Sequence, residues 1–200
     1  FHDKTLQLIG RRHSVKDFYN AYELVRKSRI PVVNVDLIIG LPQETEQEIA
    51  YSLEQAVKLA PENLTVHTLT LKRSAPLFQK QEQAVLTTQA AEKMVQRAAE
   101  MAAAIGLEPY YLYRQHYMLG HLANVGYAKP GTESIYNIQM MEERHPVIGV
   151  GPASASKVPL PDGHHLHKLN MPKNVAVYGA RLQELAERRR DLFNIEGTDL

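Results

Sequence analysis

The stretch VVNVDLIIGLPQET, residues 32–45, decides how this chain folds. It reads as a strand buried on both faces, yet it holds an aspartate at its centre and breaks at Gly40-Leu41-Pro42. An unpaired carboxylate among valines, leucine and isoleucines is costly, so Asp36 needs a partner or a ligand. Alternation splits the strand into two sets of side chains. Val33, Val35, Leu37 and Ile39 point one way and suit packing against helices. Asn34, Asp36, Ile38 and Gly40 point the other way, which in a barrel is the lumen, toward the C-terminal edge where such folds keep their sites. There a carboxylate accepts hydrogen bonds from a sugar diol, as the acidic residue of dinucleotide folds does. The competing reading is a carboxylate paired with a neighbouring arginine or capping a turn; spacing alone leaves both open.

Around this strand, helices and strands alternate. HSVKDFYNAYELVRKSR (13–29) places Val15, Phe18, Tyr22 and Val25 at helical spacing, with Ser14 and Asp17 as a capping box. After the strand, TEQEIAYSLEQAVKLA (45–60) opens on a second box, Thr45 and Glu48, and buries Ile49, Leu53, Ala56 and Val57 before Pro61 ends it. NLTVHTLTL (63–71) is a β-branched strand. TTQAAEKMVQRAAEMAAAIG (87–106) is an alanine-rich helix closed by Gly106, and EPYYLYR (108–114) is the next strand. The pattern is βαβαβ, whose usual solution is a parallel sheet with right-handed crossovers. Past Arg114 the rhythm changes. HYMLGHLANVGYAKPGTES reads as mixed helix and loop, PVIGVGPASASKV as a strand running into a turn of small residues, and 174–190 as a terminal amphipathic helix. A closed eight-stranded barrel needs roughly 200–250 residues, so the βα units here cannot close one alone. The expected division is a barrel portion, 1–114, and C-terminal elements, 115–200, with a missing N-terminal half.

Composition narrows the classes. Two hundred residues with 44% hydrophobic content support a real core, and a net charge of +1 gives no electrostatic case for nucleic acid. Arg188-Arg189-Arg190 suits the last turn of a helix, where cations complement the dipole. There is no cysteine, which excludes disulfides, thiolate zinc sites and cysteine-ligated clusters within these residues and fits a reducing, cytoplasmic compartment. No segment approaches the ~20 apolar residues of a membrane helix. The opening FHDKTLQLIG lacks a signal-peptide pattern. It also lacks an initiating methionine, so the expectation is a processed protein or a piece of a longer one.

Other candidates carry weaker signals. Val66, Thr68 and Thr70 share a strand face opposite Thr65, His67 and Leu69; such threonines touch ligands or are ordinary strand residues. HHLH (164–167) invites a metal, but no third ligand has a recognisable spacing, and a solvent-exposed hairpin is the simpler reading. GVGPAS (149–154) is only loosely phosphate-like. PYYLYRQHYMLG (109–120) gathers Tyr111, Tyr113, Arg114, Gln115, His116 and Tyr117 at a strand end. That is either a face for a large planar anion, with Arg114 on a carboxylate, or aromatic packing.

These residues also carry a resemblance. LIGRRHS, VNVDLIIGLPQET, APENLTVHTLTLKR, EPYYLYRQHYMLGHLANVGYAKPG, IYNIQMMEE and IGVGPASASKV together resemble the oxygen-independent coproporphyrinogen III oxidase (coproporphyrinogen dehydrogenase) family, radical S-adenosylmethionine enzymes, and most closely its HemZ-type branch. DLIIGLPQET is shared across the broader group; YYLYRQ…NVGYAKPG is more particular. The resemblance implies an α/β fold: part of a partial (β/α)6 barrel plus C-terminal α+β elements, with a [4Fe–4S] cluster on an upstream CxxxCxxC loop. It departs from the family in having no cysteine, which is read as truncation.

The resemblance further implies S-adenosylmethionine contacts at Arg11 (methionyl carboxylate), Asp36 (ribose hydroxyls), Thr70 and Ala155. Because the implied substrate carries four propionates, Tyr113, Arg114 and Lys157 are the expected propionate contacts. The implied reaction is oxidative decarboxylation of coproporphyrinogen III to protoporphyrinogen IX in haem biosynthesis, with the cluster ligands outside these residues, an electron donor not specified by the sequence, and the isolated chain inactive. Some relatives in the family resemble haem chaperones, and a radical enzyme with another substrate is a further alternative.

Overall fold

The computed structural model describes residues 1–70, 87–114, 122–160, 162–163 and 165–194. Leu71, Gln115, His116, Tyr117 and His164 of the sequence reading lie outside the described residues. Two compact units form, Phe1–Ile138 and Gln139–Leu200.

The first unit begins with α1 (Asp3–Leu8) and α2 (Val15–Lys27), followed by β1 (Asn34–Ile39), α3 (Glu46–Lys58) and β2 (Asn63–Thr68). Next come α4 (Thr88–Ala104), β3 (Glu108–Tyr113), β4 (Asn124–Ala128) and α5 (Ile135–Glu142), the last of which runs into the second unit. Both expected capping boxes form. The Asp17 N–H donates to Ser14 Oγ at 3.1 Å and the Ser14 N–H to Asp17 Oδ2 at 2.8 Å; Thr45 and Glu48 exchange the same pair at 3.3 and 2.8 Å. Each satisfies two N–H groups that the first helical turn cannot pair internally. Gly106, at φ 76°, closes α4 in the left-handed region where a β-carbon is disfavoured.

The core lies on one side of the sheet. Val35 and Ile39 of β1 and Leu64 and Val66 of β2 meet Ile49, Leu53 and Ala56 of α3. Ala91, Met94, Ala98 and Ala102 of α4 complete this layer; three alanines and one methionine at three- and four-residue spacing form the helix face that packs there. Each large side chain buried here contributes about 1.5–3 kcal/mol. The opposite face of β1 is open: Asn34, Asp36 and Ile38 are exposed. The strand is therefore buried on one face in this chain, not two.

Sheet order differs from the simple βαβαβ expectation. It is β1-β2-β4-β3, with β1 parallel to β2 and β4 antiparallel to both β2 and β3. β3 still runs parallel to β2, as a crossover through α4 requires, but β4 occupies the place between them. β4 falls in the stretch expected as helix and loop, and it joins residues beyond 114 to the first unit's sheet. Its alternation is only five residues long, with Val125 and Tyr127 on one side and Gly126 in the centre, so the strand signal is weak.

In the second unit, β5 (Ala155–Pro159) and β6 (Leu166–Asn170) form an antiparallel hairpin, followed by α6 (Val175–Ala180) and α7 (Leu182–Phe193). The expected order of strand then turn is reversed. Val147 makes only an isolated bridge to Lys157, the glycine-containing segment loops, and the strand follows it. The terminal helix breaks at Arg181, which sits at φ −111°, ψ 15°. Gly149 in GVGPAS is a packing residue: a β-carbon there would collide with the backbone of Ala155, and its N–H donates to the buried Ser156 hydroxyl at 3.1 Å. His165 meets Asp162 in a local ion pair within the hairpin connection.

Candidate functional site

Register carries polar side chains across the open face of the sheet. Asp36 of β1 lies opposite Thr65 of β2, Thr65 opposite Gly126 of β4, and Gly126 opposite Tyr111 of β3. One step along, Ile38 pairs with His67, and Tyr113 with Asn124. Cα partners on adjacent strands project to the same side, so these residues share one surface.

Asp36 is the charged centre of this surface. Asn34 Nδ2 donates to its Oδ1 at 2.5 Å, and Asn34 Oδ1 in turn accepts from the Thr65 hydroxyl at 3.0 Å. His67 Nε2 stands 3.8 Å from Asp36 Oδ2. His67 above all, with Asn34 and Thr65, holds the Asp36 carboxyl below its usual range against the opposing effect of burial. Tyr111 lies over Gly126 and interacts with Thr65; burial raises its phenol pKa. A β-bulge between Pro109 and Tyr111 sets this alignment and sends Tyr110 aside, where its hydroxyl accepts from Asn137 at 2.9 Å.

Beside β1 is a cavity of about 330 Å³. Its lining includes Arg11, His13, Asp36, Ile38, Leu41 and Glu44. Arg11 comes directly after the turn that ends α1, where Gly10 takes φ 74° and the Arg11 N–H donates to Leu6 O at 2.8 Å. Arg11 and Asp36, 25 residues apart in sequence, both line this cavity, together with Val35, Leu37 and Ile39 from the other face of β1. Glu44 is buried there, and desolvation raises its pKa despite a hydrogen bond with Thr5.

The remaining candidates are placed as follows. Thr70 is half-buried, two residues past the end of β2. Tyr113 ends β3 and Arg114 follows it, both exposed. Ala155 and Lys157 belong to β5 of the second unit, where Ala155 pairs with Asn170. The Lys157 ammonium is ion-paired with Glu143, whose carboxyl pKa it lowers. Among the described residues no three metal-binding side chains cluster, and no helix is long and apolar enough to cross a membrane.

No family model matches the chain. Among curated proteins it is 40% identical over 190 residues to the oxygen-independent coproporphyrinogen-III oxidase-like protein HemZ of Bacillus subtilis, covering 94% of this chain and 38% of that protein. The chain is a homologue of the coproporphyrinogen-III oxidase-like proteins. The haem chaperone HemW of Escherichia coli is more distant, at 26% identity over 166 residues, 83% of this chain and 40% of HemW. Among solved structures, coproporphyrinogen III oxidase (HemN) from Escherichia coli, described as a radical SAM enzyme, superposes with a TM-score of 0.65. That likeness, at 16% identity, covers 92% of this chain and 41% of HemN and concerns the fold. The chain spans about two fifths of the length of these relatives.

The open face holds residues to which the sequence alone assigns no role. Alternation alone groups His67 and Thr65 as the strand face opposite Thr70; the register makes theirs the Asp36 face. The available signal was parity, since both lie an even number of residues from Asn63, the partner of Asn34. Gly126 had no signal of its own, because its need for glycine comes from a tyrosine on another strand.

Proposed function

We propose that this chain is a portion of a radical S-adenosylmethionine oxidoreductase of haem biosynthesis that converts coproporphyrinogen III to protoporphyrinogen IX in the cytoplasm. The observation that carries the reading is the 40% identity to HemZ across 94% of the chain. Likeness of fold to HemN supports it, and an open sheet face is what one side of a partial (β/α)6 barrel presents to its interior.

The donor set fits one half of the cofactor chemistry. An adenosyl amino acid offers a carboxylate and a vicinal diol; a guanidinium fork suits the first and an ionised carboxylate the second. Arg11 and Asp36 supply these groups on one cavity. Thr70 and Ala155 are proposed as further contacts. The residues do not fit an iron–sulfur cluster, since there is no thiolate, and its ligands are assigned to the remainder of the protein. By itself, then, the chain is inactive.

When bound, S-adenosylmethionine and a reduced cluster supply the radical that removes a hydrogen atom from the substrate. Each of two propionates loses that hydrogen atom, carbon dioxide and one electron to become a vinyl group, the electron passing to a separate acceptor. The chain's own part is to hold and orient. Asp36 accepts from hydroxyls, Arg11 pairs with a carboxylate, and apolar residues such as Ile38 and Leu41 wall the cavity. Tyr113, Arg114 and Lys157 are proposed for the substrate's propionates.

The test is anaerobic assay of the full-length, cluster-loaded protein with coproporphyrinogen III, reading vinyl product by fluorescence after oxidation. Asp36→Ala should weaken S-adenosylmethionine binding by about tenfold while the protein stays folded. The likeness to HemW favours a second reading, a haem chaperone. No vinyl product, together with stoichiometric, transferable haem showing a Soret band, would select it.

A further inference from the structure

His67 has no role in the proposed reaction, yet its ring stands beside the one carboxylate that does. Strand register fixes the relationship: His67 pairs with Ile38, one alternation step from the Asp36–Thr65 pair and on the same face. Its Nε2 is 3.8 Å from Asp36 Oδ2, while Asn34 donates to Oδ1. The two carboxylate oxygens therefore have different neighbours, one on its own strand and one on the next. Asn34 is itself fixed by the Thr65 hydroxyl. Asn34 restrains one carboxylate oxygen by a hydrogen bond, and the His67 ring faces the other at ion-pair distance, longer than a hydrogen bond. Both narrow the carboxylate's rotation before a ligand arrives, and binding then costs less ordering.

The His67 side chain is 34% exposed and that of Asp36 61% exposed, so both stay accessible from the open face. Among the described residues, the titratable and charged neighbours of the pair are few. Tyr111 approaches through Thr65 from β3, and Arg11, His13 and Glu44 line the adjoining cavity.

We propose that His67 is a positioning residue: with Asn34 it clamps the Asp36 carboxylate so that its outward lone pairs meet the vicinal hydroxyls of a ribose-bearing ligand. This rests on the reading of Asp36 as the ribose contact. Discrimination follows from the same geometry. A ligand lacking one hydroxyl leaves the clamped carboxylate an unmatched acceptor and gains little from His67.

The experiment is calorimetry on the full-length protein with S-adenosylhomocysteine, which carries the same ribose and is not cleaved, and with its 2′-deoxy analogue. His67→Phe keeps a flat ring and removes the N–H; His67→Gln keeps a donor. His67→Phe should weaken S-adenosylhomocysteine binding about fivefold, His67→Gln should restore it to within about twofold, and the analogue should respond to neither. In an Asp36→Ala background His67→Phe should have no further effect. Thermal melts of each variant separate lost clamping from lost folding. Equal affinity of the His67→Phe and wild-type proteins overturns the proposal, as does full additivity with Asp36→Ala. If Asp36→Ala alone leaves affinity unchanged, the ribose reading of Asp36 fails first, and the clamp falls with it.

Discussion

The Tyr111 ring lies against Gly126 on the neighbouring strand, in the space a β-carbon at that position would fill. Glycine weakens a strand interior, so its presence at the centre of β4 is explained by this ring. Gly126→Ala should destabilise the protein by about 1–3 kcal/mol by driving the ring off the sheet. In a Tyr111→Ala background the same substitution should cost far less. Denaturant unfolding of the four proteins in the cycle checks this; equal costs in both backgrounds would show that the ring is not what Gly126 accommodates.

That relationship marks where sequence reading stops. The alternation of β1, both capping boxes and the Gly106 helix end depend on neighbours within four residues, and each was legible. So was the candidacy of Asp36, because a carboxylate in an apolar run is conspicuous. The row Asp36–Thr65–Gly126–Tyr111 depends on three pairing registers and one bulge, all set by contacts distant in sequence. The bulge alone decides that Tyr111 rather than Tyr110 covers Gly126. β4 was hidden for the same reason: a five-residue strand around a glycine becomes a strand through its partners on both sides.

At the other end of the sheet, Arg26 joins α2 to the approach to β2. Its guanidinium pairs with Glu62 at 2.7 Å and donates to Ala60 O at 3.0 Å and, through Nε, to the Tyr22 hydroxyl at 2.9 Å. Burial pushes the Glu62 carboxyl upward, but Arg26 and the Val33 N–H outweigh it and its pKa is lowered. A lowered folded-state pKa stabilises above the ordinary value of 4.5 and loses that contribution as pH falls through the folded value. Glu62→Gln should therefore destabilise by about 1–2 kcal/mol at neutral pH and by much less in strong acid. Unfolding free energies between pH 7 and 3 test it; a penalty independent of pH would rule out the ionic contribution.

Glu44 has the opposite sign. Burial raises its carboxyl pKa above the ordinary 4.5, so the folded state holds the proton more tightly than the unfolded chain does. Its contribution is fully present below 4.5 and fades as pH rises through the folded value. Glu44→Gln should thus remove a cost at neutral pH and raise stability by about 0.5–1 kcal/mol, with the gain vanishing near pH 4. Melts across that range decide it. Destabilisation at pH 7 would mean that the charged carboxylate is matched by its surroundings.

In the second unit, Glu143 competes with any substrate carboxylate for the Lys157 ammonium. The pair is intimate: the Lys157 ammonium is hydrogen-bonded to Glu143 Oε1, and the Glu143 pKa is lowered chiefly by that bond. Neutralising the glutamate leaves the ammonium less well compensated and more available to an anion. Glu143→Gln in the full-length protein should tighten binding of coproporphyrin III, the stable oxidised form of the proposed substrate, by about two- to fivefold. Lys157→Ala should weaken binding and abolish the effect of Glu143→Gln in the double variant. Fluorescence titration measures all four proteins. If Glu143→Gln leaves the porphyrin affinity unchanged while lowering the melting temperature, Lys157 is a structural partner of Glu143, and the propionate contacts must be sought at Tyr113 and Arg114 instead.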